Sequence, residues 1–521
     1  MLQAGWAAAM AAGFFLYARR SELQRQASES RSRRLIAPAV VAACLAASLA
    51  ILMFLSQRLG TGHPDQNAYR FQSRVIRAGH LSTESTLNVL GESGWAKRAA
   101  FFTQHINFEG KWFTLYPPGW PSLLAAVPDA YQRYINPVLG AILLVLIFLI
   151  TRQISDQQCA VVAVLMACFS PYFVDTCVGY MSEPFCAVLI ATAVLLYLKG
   201  IASQRVAYFA AMWLMLSAAI LVRPYTGILF GIVLMAASAR VLRNTRALLW
   251  AILGIGVPAL AVSCAAHALV NHALTGSYLR SPYALYAGQS LPPQITFDAG
   301  SLASYAISGF RRGLLATALA VSPIFVICAA YGMMTGRSRD DLANFVLAAC
   351  SVCLVIGYFV NTMPSASVVG ERFYFPSFFA WIVLAAIGYR YLSGVLGVEK
   401  MRCLLFASMI VQGVCLWYLT APLLIENRQF TEIEKAARAS AHPHSVVFLK
   451  DSGQFVAKHL NLNEADWRHA PAVFLVDPGS AYRSRVACAL GDRSWSTVFI
   501  DDQTGTAKVT SGTADCSISA R

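Results

Sequence analysis

From its start the chain alternates between apolar runs of roughly 16–24 residues and short stretches where charge collects. Runs of that length match the ~30 Å of hydrocarbon in a bilayer. They predict membrane-spanning helices over 3–18, 35–56, 137–151, 159–176, 181–199, 206–222, 224–239, 247–270, 314–334, 342–361, 373–392 and 403–421. The first run lacks a basic leading segment and is followed by Arg19 and Arg20, so it reads as an anchor rather than a cleaved signal.

The short connections carry the positive charge. Arg19, Arg20, Arg25, Arg31, Arg33 and Arg34 form one group, and Arg152, Lys199, Arg205, Arg240, Arg243 and Arg246 follow; Arg337, Arg339, Arg390, Lys400 and Arg402 complete the set. With alternating helices all of these fall on one side, which marks the cytoplasmic face. Three long segments, 57–136, 271–313 and 422–521, are then expected on the extracytoplasmic side.

The last of these changes period. SVVFLKD (445–451), PAVFLVD (471–477) and STVFID (496–501) read as strands, with helix-like stretches 453–461 and 480–490 between them. Strands alternating with helices predict a small parallel α/β domain. The Asp ending each strand marks either a ligand crevice or, more commonly, a cap for the next turn.

Composition supports the membrane reading. Residues of the AVILMFWYC set make up 57% of the 521 positions and charged residues 13%, about half the charge of a soluble domain. The net charge of +15 resides largely in the short loops, so it points to a bilayer and not to nucleic acid. Most of the thirteen cysteines lie in apolar runs and read as small packing residues, while Cys488 and Cys516 in the tail suit a disulfide in an oxidising compartment. The expected fold is thus mainly α, a polytopic bundle of about 11–12 helices with a small extracytoplasmic C-terminal α/β domain. Its divisions are an anchor and basic loop (1–34), a transmembrane domain with external loops 57–136 and 271–313 (35–421), and the α/β domain (422–521).

Candidate chemistry lies at the outer boundary. HPDQNAYRFQSRVIRAGHL (63–81) predicts an amphipathic helix lying at the membrane surface, with Pro64 in its first turn and Asp65 at its positive end. Asp65 either serves chemistry or stabilises that helix. Tyr116, Pro117, Pro118, Gly119, Trp120 and Pro121 form a rigid turn, which could equally be an interfacial anchor. Asp175 and Glu183 flank a short external loop, and Glu183 suits either an acceptor or metal ligand or a helix cap before Pro184. Arg223 sits between two apolar runs almost without a loop, where an arginine must pair or snorkel. Arg280 lies among tyrosines, and Arg372 follows Glu371 at a helix entrance.

The order of these elements resembles the GT-C superfamily of membrane glycosyltransferases. It is most similar to the branch holding protein O-mannosyltransferases, lipopolysaccharide-core sugar transferases and aminoarabinose transferases. The matching positions are Asp65, Tyr69, Ala78 and Gly79 in the first external loop, then Pro117 and Pro118, then Ser170 and Pro171 before MSEP (181–184). Asn271 with TGS (275–277), and Glu371, Arg372, Phe373, Tyr374 and Pro376, close the series. Gln66 stands where some relatives carry a second acid, which weakens a two-carboxylate metal site; a divalent cation stays open as a cofactor.

The resemblance implies a polyprenyl-phosphate sugar donor and a glycan, lipid or protein acceptor. It implies that Asp65 takes the proton of the attacking hydroxyl, with inversion at the anomeric carbon. Arg372, Arg223 and Arg280 are the candidates for the donor phosphate; Tyr69, Tyr116 and Tyr374 are candidates for contact with the sugar or lipid. Asp175 and Glu183 are the acceptor or metal candidates. The expected setting is a bacterial inner membrane with the active face outward. A transporter or lipid flippase is the rival, although such proteins carry ionisable groups near mid-membrane whereas here they gather at the boundary.

Overall fold

The computed structural model describes residues 32–58, 63–241, 246–290, 307, 314–335, 341–358, 371–451, 456–491, 493–501, 506–512 and 516. The expected span at 3–18, the basic clusters around Arg25 and Arg337, and Asp298 lie outside the described residues. Two compact units emerge. One draws on Met1–Leu55, Asn136–Ser263 and Gln294–Ala421; the other draws on Ser56–Ile135, Cys264–Pro293 and Pro422–Arg521.

The first unit is helical. Among the described residues, seven helices are long and apolar enough to cross a bilayer, and four shorter apolar ones accompany them. Prolines decide where the expected spans break. The run 159–176 divides into Gln157–Cys168 and Pro171–Thr176, and the run 314–334 into Ala316–Val321 and Pro323–Thr335. In both cases Pro suits the first turn of the new helix, where its missing N–H costs nothing. The run 247–270 passes through a π-helical turn at Ile252–Gly256, and the last span continues without interruption as Val398–Ala439. Helices Pro323–Thr335 and Phe378–Leu396 meet backbone to backbone: a Cβ on Gly388 would lie 1.8 Å from the Cys328 carbonyl oxygen. Small residues allow that approach where lipid provides no hydrophobic drive.

The second unit contains two sheets. Strands β1 (Thr83–Glu84), β2 (His105–Phe108) and β3 (Lys111–Thr114) form an antiparallel sheet of order β1-β3-β2. Strands β4 (Ser445–Asp451), β5 (Ala472–Val476), β6 (Ser494–Asp501) and β7 (Thr506–Gly512) form the other, of order β5-β4-β6-β7. The three strands expected from sequence pair in parallel, β4 with β5 and β6, and β7 adds an antiparallel edge. Asp477 is a cap: it accepts the Gly479 N–H and pairs with Arg483 at 2.8 Å. Cys488 and Cys516 form a disulfide.

One core joins the segment 57–136 to the tail. Phe71, Phe102 and Trp112 pack in the same buried cluster as Ile433, Val447, Phe448 and Leu475. A second cluster packs Ile106, Phe113 and Leu115 against Leu274 and Leu285.

The helix Pro64–Arg77 corrects one expectation. Its polar side meets protein, with ten of its residues from Asp65 to Val75 buried. Arg70 pairs with Glu434 at 3.5 Å, and Arg74 donates to the carbonyls of Asn463 and Asn461 at 3.0 and 3.1 Å. Amphipathicity identified a polar face, and the tail domain supplies its partners.

Candidate functional site

The first unit brings three of the candidate residues together. Asn136 donates to the carbonyls of Gly179 and Met181, at 3.0 and 2.9 Å, and so orders the loop entering the helix Glu183–Ser203. Glu183, 2% exposed, begins that helix, and its carboxylate lies 2.8 Å from Arg223. Arg223 stands at the break between helices Val206–Val222 and Pro224–Val241, and it also donates to the Ser182 hydroxyl at 3.1 Å. Arg372 approaches the same Glu183 oxygen at 3.9 Å. Both guanidinium carbons lie near the Phe373 ring, at 5.1 Å for Arg223 and 5.3 Å for Arg372.

The backbone beneath Arg372 is fixed. The Glu371 N–H donates to Thr317 at 2.8 Å, its carbonyl accepts from Tyr172 at 2.5 Å, and its carboxylate caps the turn by accepting the Phe373 N–H at 3.3 Å. Arg372 therefore opens a short 3-10 helix, Arg372–Ser377, on a braced start. Two planar cations share one aromatic ring and one carboxylate. Such an arrangement is suited to gripping an oxyanion through fork-shaped donors. Tyr374 is 4% exposed and lines an apolar pocket with Tyr172, Val326 and Trp381. Asp175 is half-buried in the last turn of Pro171–Thr176.

The second unit holds the remaining candidates. His63 caps the helix Pro64–Arg77, accepting the Asp65 N–H at Nδ1. Asp65 is 2% exposed; its Oδ1 accepts from Gln104 Nε2 at 2.8 Å and lies 3.5 Å from His63 Nδ1. One turn on, the Tyr69 ring meets that of Tyr116 at 4.3 Å. Gln72 ties the same helix to the sheet, accepting from both the N–H and the hydroxyl of Thr114. Arg280 is exposed, with its guanidinium 5.8 Å from the Phe108 ring. The TGS segment ends the preceding helix: Gly276 takes φ +73° and donates to the His272 carbonyl at 2.9 Å.

Sequence reading missed Gln104, Ser182 and Phe373 as site components. Phe373 stood inside the motif that carried Arg372, and its place next to a cation was the available signal. Gln104 carried none. Among the described residues no group of three His, Cys, Asp or Glu side chains could hold a metal ion.

The family described as dolichyl-phosphate-mannose-protein mannosyltransferase matches residues 124–265, a segment that contains Asp175, Glu183 and Arg223. Comparison with curated protein sequences gives no match. Among solved structures, ArnT from Cupriavidus metallidurans bound to undecaprenyl phosphate is similar at TM-score 0.55 and 13% identity, over 89% of this chain and 93% of that one. Its apo state gives 0.54 and 14%, over 90% and 94%. The apo oligosaccharyltransferase of Archaeoglobus fulgidus gives 0.50 and 12%, over 90% of this chain and 70% of that one. The fold is that of the GT-C membrane enzymes.

Proposed function

From a GT-C fold and two arginines gathered on one aromatic ring, we propose that this chain is a membrane glycosyltransferase. It moves a sugar from a polyprenyl-phosphate donor to an acceptor hydroxyl at the extracytoplasmic face of a bacterial inner membrane. The observation that carries this reading is the convergence of Arg223 and Arg372 on Phe373 and Glu183. The undecaprenyl phosphate held by the similar ArnT structure supports the donor class.

In the reaction, Asp65 accepts the proton of the acceptor hydroxyl as its oxygen attacks the anomeric carbon. The bond from that carbon to the phosphate oxygen breaks, and the electron pair leaves with the polyprenyl phosphate. Arg223 and Arg372, with Arg280 as a third candidate, stabilise the charge of the departing phosphate. Attack opposite the leaving group inverts the configuration. A carboxylate base contributes roughly 10²–10⁴ to such a step. Tyr69, Tyr116 and Tyr374 serve the sugar or lipid, and Asp175 and Glu183 stand as acceptor-side or metal-side groups.

The outward orientation is supported by the way the fold divides. The three segments that charge assigns to the outside, 57–136, 271–313 and 422–521, supply the second compact unit, Ser56–Ile135, Cys264–Pro293 and Pro422–Arg521. That unit also carries the disulfide, which favours an oxidising compartment.

The test uses purified protein in lipid vesicles. Undecaprenyl phosphate should bind, and with an envelope fraction supplied as acceptor the label of a polyprenyl-phosphate sugar labelled in its sugar should pass to the acceptor as free polyprenyl phosphate is released. Equal transfer from a nucleotide sugar with no lipid carrier would overturn the donor assignment.

A further inference from the structure

Gln104 connects Asp65 to two other segments of the second unit. Its Nε2–H donates to Asp65 Oδ1 at 2.8 Å, its backbone N–H donates to the Tyr286 hydroxyl at 3.4 Å, and its carbonyl accepts the Leu115 N–H at 3.3 Å. The backbone is left-handed at Gln104, with φ +70°, a region that a long side chain rarely adopts. The surrounding contacts hold the residue there, and that conformation goes with its amide lying on the carboxylate.

A helix start fixes where the Asp65 side chain begins but not how its carboxylate is turned. The last torsion of aspartate is broad and roughly two-fold, so rotamer preference leaves the oxygen plane undetermined. A hydrogen bond to one oxygen determines it. A neutral amide does this without adding a positive charge that would weaken the carboxylate as a base.

We infer that Gln104 is a positioning residue, which turns the Asp65 carboxylate to the orientation that accepts the proton. The inference rests on the reading of Asp65 as the base. It adds a group that acts on the reaction only through Asp65.

The decisive variant is Gln104→Asn. Asn is favoured at positive φ, so the turn is kept, while its amide is one methylene too short to reach Oδ1. Turnover with the labelled polyprenyl-phosphate sugar should fall about 10- to 100-fold, the scale of a base displaced by about 1 Å. Undecaprenyl phosphate binding should stay within about two-fold. Gln104→Gly, which also tolerates the backbone, should give the same pattern.

In the Asp65→Asn background, Gln104→Asn should cost nothing further, since the group it serves is gone. An undiminished loss in that background marks a structural role and overturns the inference. Wild-type turnover in Gln104→Asn and Gln104→Gly overturns it too, provided Asp65→Asn is impaired. If Asp65→Asn itself retains turnover, the reading of Asp65 falls, and this inference falls with it.

Discussion

The Glu183 carboxylate and the Arg223 guanidinium form a buried ion pair at 2.8 Å, with side chains 2% and 12% exposed. Removing one member of such a pair leaves an uncompensated charge and costs about 3–5 kcal/mol, whereas removing both costs much less. Arg223→Met should therefore lower the thermal midpoint strongly in detergent. Adding Glu183→Gln to it should recover most of the loss. Strictly additive losses in the double variant would show that the pair is not coupled.

Arg372 stands farther from the same carboxylate, at 3.9 Å, and its removal should tell on the donor more than on the fold. Arg372→Ala is expected to weaken undecaprenyl phosphate binding by about 1.5–3 kcal/mol, the range for a hydrogen bond to a charged group. Arg372→Lys should recover only part, because an ammonium lacks the planar fork. Isothermal titration checks both, and unchanged affinity in Arg372→Ala removes the residue from the phosphate site.

Asp65→Asn keeps size and a hydrogen-bonding oxygen, and Asn is tolerated near a helix start. Expression and membrane insertion should hold. Turnover should drop by at least about 10², the lower bound for losing a general base, with donor binding little changed. Near-wild-type turnover at normal expression would falsify the assignment and move attention to Glu183 and Asp175.

His105 makes the second unit sensitive to acid. Burial pushes its imidazole down to about 4, against the pull of the Thr103 carbonyl that accepts from Nδ1, and Arg74 lowers it further. An unfolded imidazole takes its proton near 6.5. Between these values the unfolded chain binds more protons, so stability is intact above about pH 6.5 and falls as pH drops toward 4. At pH 5 the unit should have lost roughly 2 kcal/mol relative to pH 7 from this group. Unfolding profiles of wild type and His105→Phe should converge in slope above pH 7 and separate below 6.

Topology has its own test. A reporter active only outside the cytoplasm should be active after Arg521 and silent near Arg243. In cells, Cys488 and Cys516 should resist alkylation until reduced, and then react with a thiol reagent that cannot cross the inner membrane. Free thiols in untreated cells would argue for a cytoplasmic tail.

Much of the fold was legible because a bilayer leaves few alternatives. A run such as 181–199 can satisfy its backbone in lipid only as a helix. The strands of the tail were legible from β-branched and aromatic runs such as VVFL and AVFLV. Strand β7, TAKVTSG, was not, because Ala507 and Val509 are its only apolar residues and make no run.

The site was legible to the extent that charge was scarce. Arg223 and Arg372 stood out as cations at the borders of apolar runs. Their meeting on Glu183 joins positions about 40 and 190 residues apart, which no local spacing encodes. Gln104 could not be found at all, since an uncharged side chain in a loop gives no signal and its left-handed backbone is imposed by Tyr286 and Leu115 from elsewhere.

The shared core of the first loop and the tail sets a schedule for biogenesis. Phe71, Phe102 and Trp112 are synthesised early, yet the residues that cover them, Ile433 to Leu475, come near the end of the chain. At roughly 5–20 residues per second of synthesis, that apolar surface waits on the order of tens of seconds. Meanwhile every helix of the bundle between them must be inserted. The first loop therefore stays uncovered until the tail is made, and a nascent chain stalled before the tail should be the species that proteases remove.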